Sequence, residues 1–214
     1  MGESRLGSKG VRTRETLLAN AVRRFAADGY RGTSVAEVAR DSGVTPAATY
    51  AYFPSKEALF AAAADMDAAG LVAEALPDIT QGAFDGDWTR LLLALLEGLE
   101  RHPLARRVLS GLEPERTELL LDMPALADLR AGIAEQLRRG QREGDVRPDI
   151  VPELMASGLE TVIMSILIAV IQTGITPAGE RAAGVVALLE AAVRPPPAYP
   201  PTMPPTRPAM LRDP

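Results

Sequence analysis

The sequence predicts an all-α protein, an N-terminal three-helix domain followed by a larger helical domain. Three observations carry this. The stretch 34–60 reads as a capped helix, a glycine turn and a second capped helix. Apolar residues recur at helical spacing along the segments that follow. Two segments near the C-terminus are apolar nearly all round, as helices buried on every side are.

Taken in order, residues 1–12 (MGESRLGSKGVR) are polar, Gly-rich and basic, and are expected to form a disordered arm. Residues 13–28 form the first helix, with Leu17, Leu18, Ala21, Val22 and Phe25 on one face. Gly29 ends it at C′, and Tyr30 tucks into the core. Ser34 and Glu37 make a capping box for the second helix, which carries Val35, Val38 and Ala39 on its inner face. Gly43 supplies the positive φ of the turn and Val44 plugs the corner. Thr45 caps the third helix, with Pro46 at N1, where its missing N–H costs nothing. That third helix (Ala47, Ala48, Thr49, Tyr50, Ala51, Tyr52) is slim and has no wide apolar stripe. An αα-hairpin built only for packing shows more Leu and Ile. A helix entering the major groove needs a slim surface with its N-terminal residues aimed at the bases. The segment therefore reads as a helix-turn-helix, in which Thr45, Tyr50, Tyr52 and Lys56 can donate to phosphates.

Residues 13–63 resemble the DNA-binding region of the TetR family of transcriptional regulators. The resemblance rests on Ala21, Phe25, Gly29, Tyr30, Thr33, Ser34, Val35, Val38, Ala39, Gly43, Val44, Tyr50, Tyr52, Phe53, Lys56, Glu57 and Leu59, in register and without gaps. It implies a homodimeric repressor with a helical ligand-binding domain after the reader. The expected domains are a basic arm at 1–12, a helix-turn-helix domain at 13–60, a ligand-binding and dimerisation domain at 61–193 and a Pro-rich tail at 194–214. The expected DNA-binding residues are Arg12, Arg14, Ser34, Arg40, Thr45, Pro46, Ala47, Ala48, Thr49, Tyr50, Tyr52 and Lys56. By the resemblance, Pro46, Ala47 and Ala48 lie where bases are touched, and none has a side-chain donor or acceptor. Readout is therefore expected from thymine-methyl contacts, Thr49 or Tyr50, Arg40 and DNA shape. A two-fold dimer calls for a pseudo-palindromic double-stranded operator.

Charge is divided accordingly. The 214 residues carry a net −5, yet residues 1–60 hold nine Lys/Arg against six Asp/Glu, leaving 14 against 22 for the rest. A basic reader on an acidic body suits a chain that meets phosphate at one end. There is no cysteine and one histidine, which excludes disulfides, thiol chemistry and His- or Cys-rich metal clusters. No nucleophile elbow or phosphate loop is present, so an enzyme is not expected, nor a cofactor. The N-terminus has no signal-peptide pattern, and the longest apolar run, 162–171, is short for a membrane span. A cytoplasmic protein working at the nucleoid is expected, with no membrane partner.

Ser55 caps a fourth helix, 56–75, whose N-terminus with Lys56 can hold a phosphate. Helices follow at 88–101, at 104–121 with an interruption near 111–114, at about 126–144, at 150–173 and at 177–193. The last two are expected to pair with a second copy of the chain, the alternative being burial within one chain. By the resemblance the middle helices enclose a pocket. Trp88, Leu92, Leu95, Leu109, Leu112, Met123, Leu126, Met155 and Leu159 are its candidate walls and His102 its candidate polar handle. The apolar lining suggests a small hydrophobic effector; a regulator whose partner is a protein remains the alternative. The tail, RPPPAYPPTMPPTRPAMLRDP, cannot form helix or packed sheet and reads as a disordered extension, or as a polyproline ligand for an SH3-like partner.

Overall fold

A computed structural model describes residues 7–77, 88–113, 123–174 and 180–195. Among these residues the regular structure is entirely helical. The helices are α1 (Ser8–Gly32), α2 (Val35–Asp41), α3 (Pro46–Tyr52), α4 (Lys56–Ala75), α5 (Trp88–Gly98), α6 (Pro103–Leu109), α7 (Pro124–Glu143), α8 (Pro152–Thr173) and α9 (Glu180–Val193).

Local chemistry accounts for most boundaries. The Ser34 hydroxyl accepts from Glu37 N while the Glu37 carboxylate accepts from Ser34 N, the reciprocal capping box. Thr45 and Ser55 cap α3 and α4 by accepting from Ala48 N and Ala58 N, each at 3.1 Å. Pro103, Pro124 and Pro152 each open a helix, where a missing N–H is harmless. The helix α1 begins five residues earlier than expected, so 8–12 of the supposed disordered arm are helical. The reason is that nothing in SKGVR breaks a helix whose next turns are already anchored in the core. Within α1 the backbone breaks at Gly29 (φ 75°, ψ 173°), as the sequence placed it, and residues 30–32 form a further turn.

Helix α4 is the axis of the molecule. It packs on α1 toward the N-terminus and on α5, α6 and α7 farther along. At the α1 contact, Phe25 and Tyr30 present their rings to the edge of Phe60, with centroids 5.0 and 5.3 Å away. The α7–α8 pair completes the body, joined by Arg130 Nη1 donating to Glu160 Oε2 at 2.8 Å. The connection after α7 turns at Gly144 in the left-handed region and is held by Gln141 Nε2, which donates to the carbonyls of Arg147 and Ile150.

Helix α8 has 22 residues and a mean hydropathy of 2.2 over its most apolar window, enough by length and composition to cross a membrane. The run 162–171 alone understates it. In this fold α8 packs chiefly along α7 and buries Ala156, Leu159, Ile163 and Leu167. Its remaining surface is not covered by the described residues: Leu154 is 74% exposed, and on α9 Leu188 is 64% exposed. The expected helix at 104–121 is seen as α6 to Leu109, then a turn with Gly111 at φ 73°. Its second part falls on 114–122, outside the described residues, as do residues 1–6 of the arm, 175–179, and the tail beyond 195.

Candidate functional site

The α2–turn–α3 unit is fastened to α1 by polar side chains. Asn20 Nδ2 donates to Ser42 Oγ at 2.9 Å, and Ser42 Oγ donates to Val38 O. Arg24 Nε donates to Asp41 Oδ2 at 2.7 Å and holds that carboxyl below its ordinary range. Between them, α2 cannot slide on α1, and α3 is presented at a set angle.

The presented surface includes most of the expected residues. Arg12, Arg14, Ser34, Arg40, Thr45, Pro46 and Ala47 are exposed, and Ala48 is half-buried. Tyr50 is 50% exposed, while Tyr52 is partly buried against the core. The Arg14 guanidinium stacks over the Phe53 ring (5.3 Å), which brings the start of α1 beside the end of α3. Lys56 lies three residues further on, its Nζ 4.5 Å from the centre of the Tyr30 ring. Two basic side chains, Arg14 and Lys56, thus stand at and just beyond the end of α3, and Tyr50 is exposed on the helix itself. The Ser34 and Thr45 hydroxyls serve as caps, and each keeps capacity for a phosphate oxygen.

Thr49 is a correction. It is 0% exposed, and its hydroxyl donates back to Thr45 O at 3.3 Å. The expectation that it reads DNA fails because α3 turns this position onto the core. Tyr50, the next residue, faces out.

The second candidate site is a cavity of about 40 Å³ among α4, α5, α6, α7 and α8. Ala68, Leu71 and Val72 of α4, Ala105, Val108 and Leu109 of α6, and Met123, Leu126 and Leu129 at α7 form most of its wall, with Leu95, Met164 and Leu167. Four expected residues line it: Leu95, Leu109, Met123 and Leu126. Trp88, Leu92, Met155 and Leu159 are packed in the surrounding core instead. Leu112 is 60% exposed beyond the end of α6, so it is no wall at all. His102 is not a handle inside the cavity. Its Nδ1 lies 3.2 Å from Asp67 Oδ1, and its Nε2 lies 3.3 Å from Glu74 Oε1, outside good hydrogen-bonding geometry. The wall residues the sequence reading missed are mostly Ala, Val and Leu, which nothing in a sequence separates from ordinary core.

Two further groups were also missed. Asp67, buried in α4, accepts at Oδ2 from Leu104 N (2.8 Å) and Ala105 N (2.9 Å), and so caps α6 from outside its own chain segment. Glu113, also buried, accepts at Oε1 from Arg107 Nε (2.7 Å) and Tyr30 N (3.1 Å). An acid in the otherwise Ala-rich run AAAADMDAAG was a signal for the first; the second had none. Among the described residues no acidic or histidine cluster suits a metal ion.

The comparisons with known proteins agree with this geometry. A family profile described as bacterial regulatory proteins, tetR family, matches residues 17–63, the span from α1 into α4. The HTH-type transcriptional repressor AcnR of Corynebacterium efficiens is 29% identical over 198 residues, 89% of this chain and 97% of its own length. The HTH-type transcriptional regulator YdgC of Bacillus subtilis is 27% identical over 85% of this chain and 93% of its own. Among solved structures, a TetR-family regulator from Mesorhizobium loti superposes with a TM-score of 0.63 at 19% identity, over 88% of this chain and 100% of that one. Another from Shewanella sp. PV-4 gives 0.58 at 24%, over 86% and 99%. These two bear on the fold: an N-terminal helix-turn-helix domain followed by a helical domain. The relatives are named as regulators of transcription. With a capped helix-turn-helix fastened to α1 and a slim exposed third helix, residues 17–63 are a DNA-binding domain of the TetR family, and the chain is similar to regulators of that family along most of its length.

Proposed function

We propose that the protein is a homodimeric repressor that binds a pseudo-palindromic operator and is released from it by a small hydrophobic effector. The observation that carries the DNA-binding part is the exposed third helix with its outward Tyr50, followed by two basic side chains, Arg14 over Phe53 and Lys56 over Tyr30. The base-facing residues Pro46, Ala47 and Ala48 offer only apolar contact, so Tyr50, Arg40 and DNA shape carry the sequence preference. Arg12, Arg14, Ser34, Thr45, Tyr52 and Lys56 contact phosphate. Relatives named as repressors support the sign of regulation.

Dimerisation is supported by the uncovered apolar surface of α8 and α9, where Leu154 and Leu188 face water in a single chain. A second copy related by a two-fold axis covers it with the same surface. The effector part is supported by the wholly apolar cavity. Its 40 Å³ is far below the ~300 Å³ or more of a ligand pocket, so an effector must part the helices to enter. It releases DNA only by favouring that parted state over the closed one.

The test is a footprint and gel shift on the DNA flanking the gene, across a salt series. A protected palindrome with half-sites about 34–36 Å apart, and affinity falling steeply with salt, is the expected result. Binding no stronger than to random duplex would count against it. In parallel, Leu188→Glu is expected to shift the sedimenting species from dimer to monomer; an unchanged dimer removes α9 from the interface.

A further inference from the structure

Helix α6 faces two ways. Ala105, Val108 and Leu109 line the cavity, while Arg107 reaches the other way, to the end of α1. There Arg107 Nε donates to Glu113 Oε1, and Nη1 reaches Ala26 O at 3.4 Å. The same Glu113 oxygen accepts from the backbone N–H of Tyr30. The α1 corner is shaped around this pair. Gly29 has φ 75°, and a Cβ there would stand 2.5 Å from Arg107 Nη2 and 2.8 Å from Glu113 Oε1.

Tyr30 is held on its backbone by Glu113 and on its side chain by the first turn of α4. Its hydroxyl donates to Glu57 Oε1, and Lys56 Nζ rests on its ring. An unbroken path of contacts therefore runs from the cavity wall through Arg107, Glu113 and Tyr30 to the ammonium beside α3.

We propose that Arg107 and Glu113 are positioning residues for Lys56: through Tyr30 they set the phosphate contact at the start of α4. The inference rests on the reading that Lys56 meets phosphate. A buried carboxylate tied to a guanidinium suits this role, because it has few alternative partners.

The experiment measures binding of the full-length protein to a random-sequence duplex by fluorescence anisotropy across a salt series. Each lost phosphate contact lowers the slope of log K against log[salt] by about 0.9 per protomer. Lys56→Ala is expected to lose that amount, Glu113→Ala the same amount, and the double variant no more than either. Glu113→Gln keeps an oxygen acceptor for Tyr30 N and is expected to keep the wild-type slope. If Glu113→Ala fails to fold, Glu113→Asp, a carboxylate one methylene short of Tyr30, takes its place with the same expectation. A slope unchanged by the Glu113 variant but lowered by Lys56→Ala overturns the inference and leaves the interface reading standing. Additive losses in the double variant overturn it too, since Glu113 then acts on another contact. A slope unchanged by Lys56→Ala removes the phosphate contact itself, and the inference with it.

Discussion

Replacing Gly29 by alanine should be among the most damaging single-methyl additions in this chain. The residue sits at φ 75°, ψ 173°, a region that is essentially glycine's alone, and holding alanine there costs on the order of 1–3 kcal/mol. The new Cβ would also meet Arg107 Nη2 at 2.5 Å and Glu113 Oε1 at 2.8 Å. Both are ends of side chains and can retreat, but their retreat leaves the Tyr30 N–H without its acceptor in a buried place, at about 1–3 kcal/mol. The total is roughly 2–6 kcal/mol, a large share of the ~5–15 kcal/mol that holds a domain together. At about 2–4 °C per kcal/mol for a chain of this size, Tm falls by roughly 4–24 °C. Gly144→Ala is the control. It shares the positive φ (88°) but has open space where its Cβ would go, so only about 1–2 kcal/mol of backbone strain applies. Thermal unfolding followed by circular dichroism, at one protein concentration so that association does not shift the midpoint, compares the two. Equal losses in both variants would refute the reasoning, because the Arg107–Glu113 contact would then contribute nothing at this corner.

Three other outcomes are expected. Asp67→Ala strands the N–H groups of Leu104 and Ala105 at the start of α6 and should cost roughly 2–5 kcal/mol in urea unfolding; a loss under about 1 kcal/mol contradicts the capping role. Thr49→Val should lower stability by about 1 kcal/mol and leave DNA affinity unchanged, whereas Tyr50→Ala should weaken binding ~10-fold or more at unchanged Tm; gel shifts and melting curves on the pair distinguish inward from outward positions of α3. The Arg24 hydrogen bond holds Asp41 below its unfolded value, so the stabilisation is present above the ordinary aspartate range and is lost as pH falls through the folded value. The stability gap between the protein and Arg24→Gln should therefore be full at neutral pH and close in acid; a gap independent of pH speaks against the ion pair.

The reader was legible in the sequence because its determinants are local. A cap spans three or four residues, and Ser34 with Glu37, Thr45 with Pro46, and Ser55 each announce a helix start without reference to the rest of the chain. Gly29 and Gly43 were legible for the same reason, since a positive φ is a property of one residue. Periodicity placed α4, α7 and α8 to within a few residues. It was less informative for α3, where a short helix with a small-residue surface hides which side faces in. Thr49 and Tyr50 are adjacent and both polar, and only the packing of α3 on its neighbours sends one to the core and the other to solvent.

The groups that join the two domains were not legible, and the reason is distance along the chain. Tyr30 and Glu113 are 83 residues apart, and Asp67 meets Leu104 across 37. No local rule pairs a backbone N–H with a carboxylate that far away. The partnership exists because α1, α4 and α6 pack side by side, and packing depends on the fit of whole helix faces. The same holds for the cavity, whose walls are the kind of residue that fills any core, and for Leu112, whose apolar side chain ends in water because α6 stops at Leu109. Helix identity, caps and charge division follow from short-range chemistry and can be read residue by residue. Which buried acid holds which helix, and which apolar faces are left uncovered, follows from long-range packing and exists only once the chain has folded.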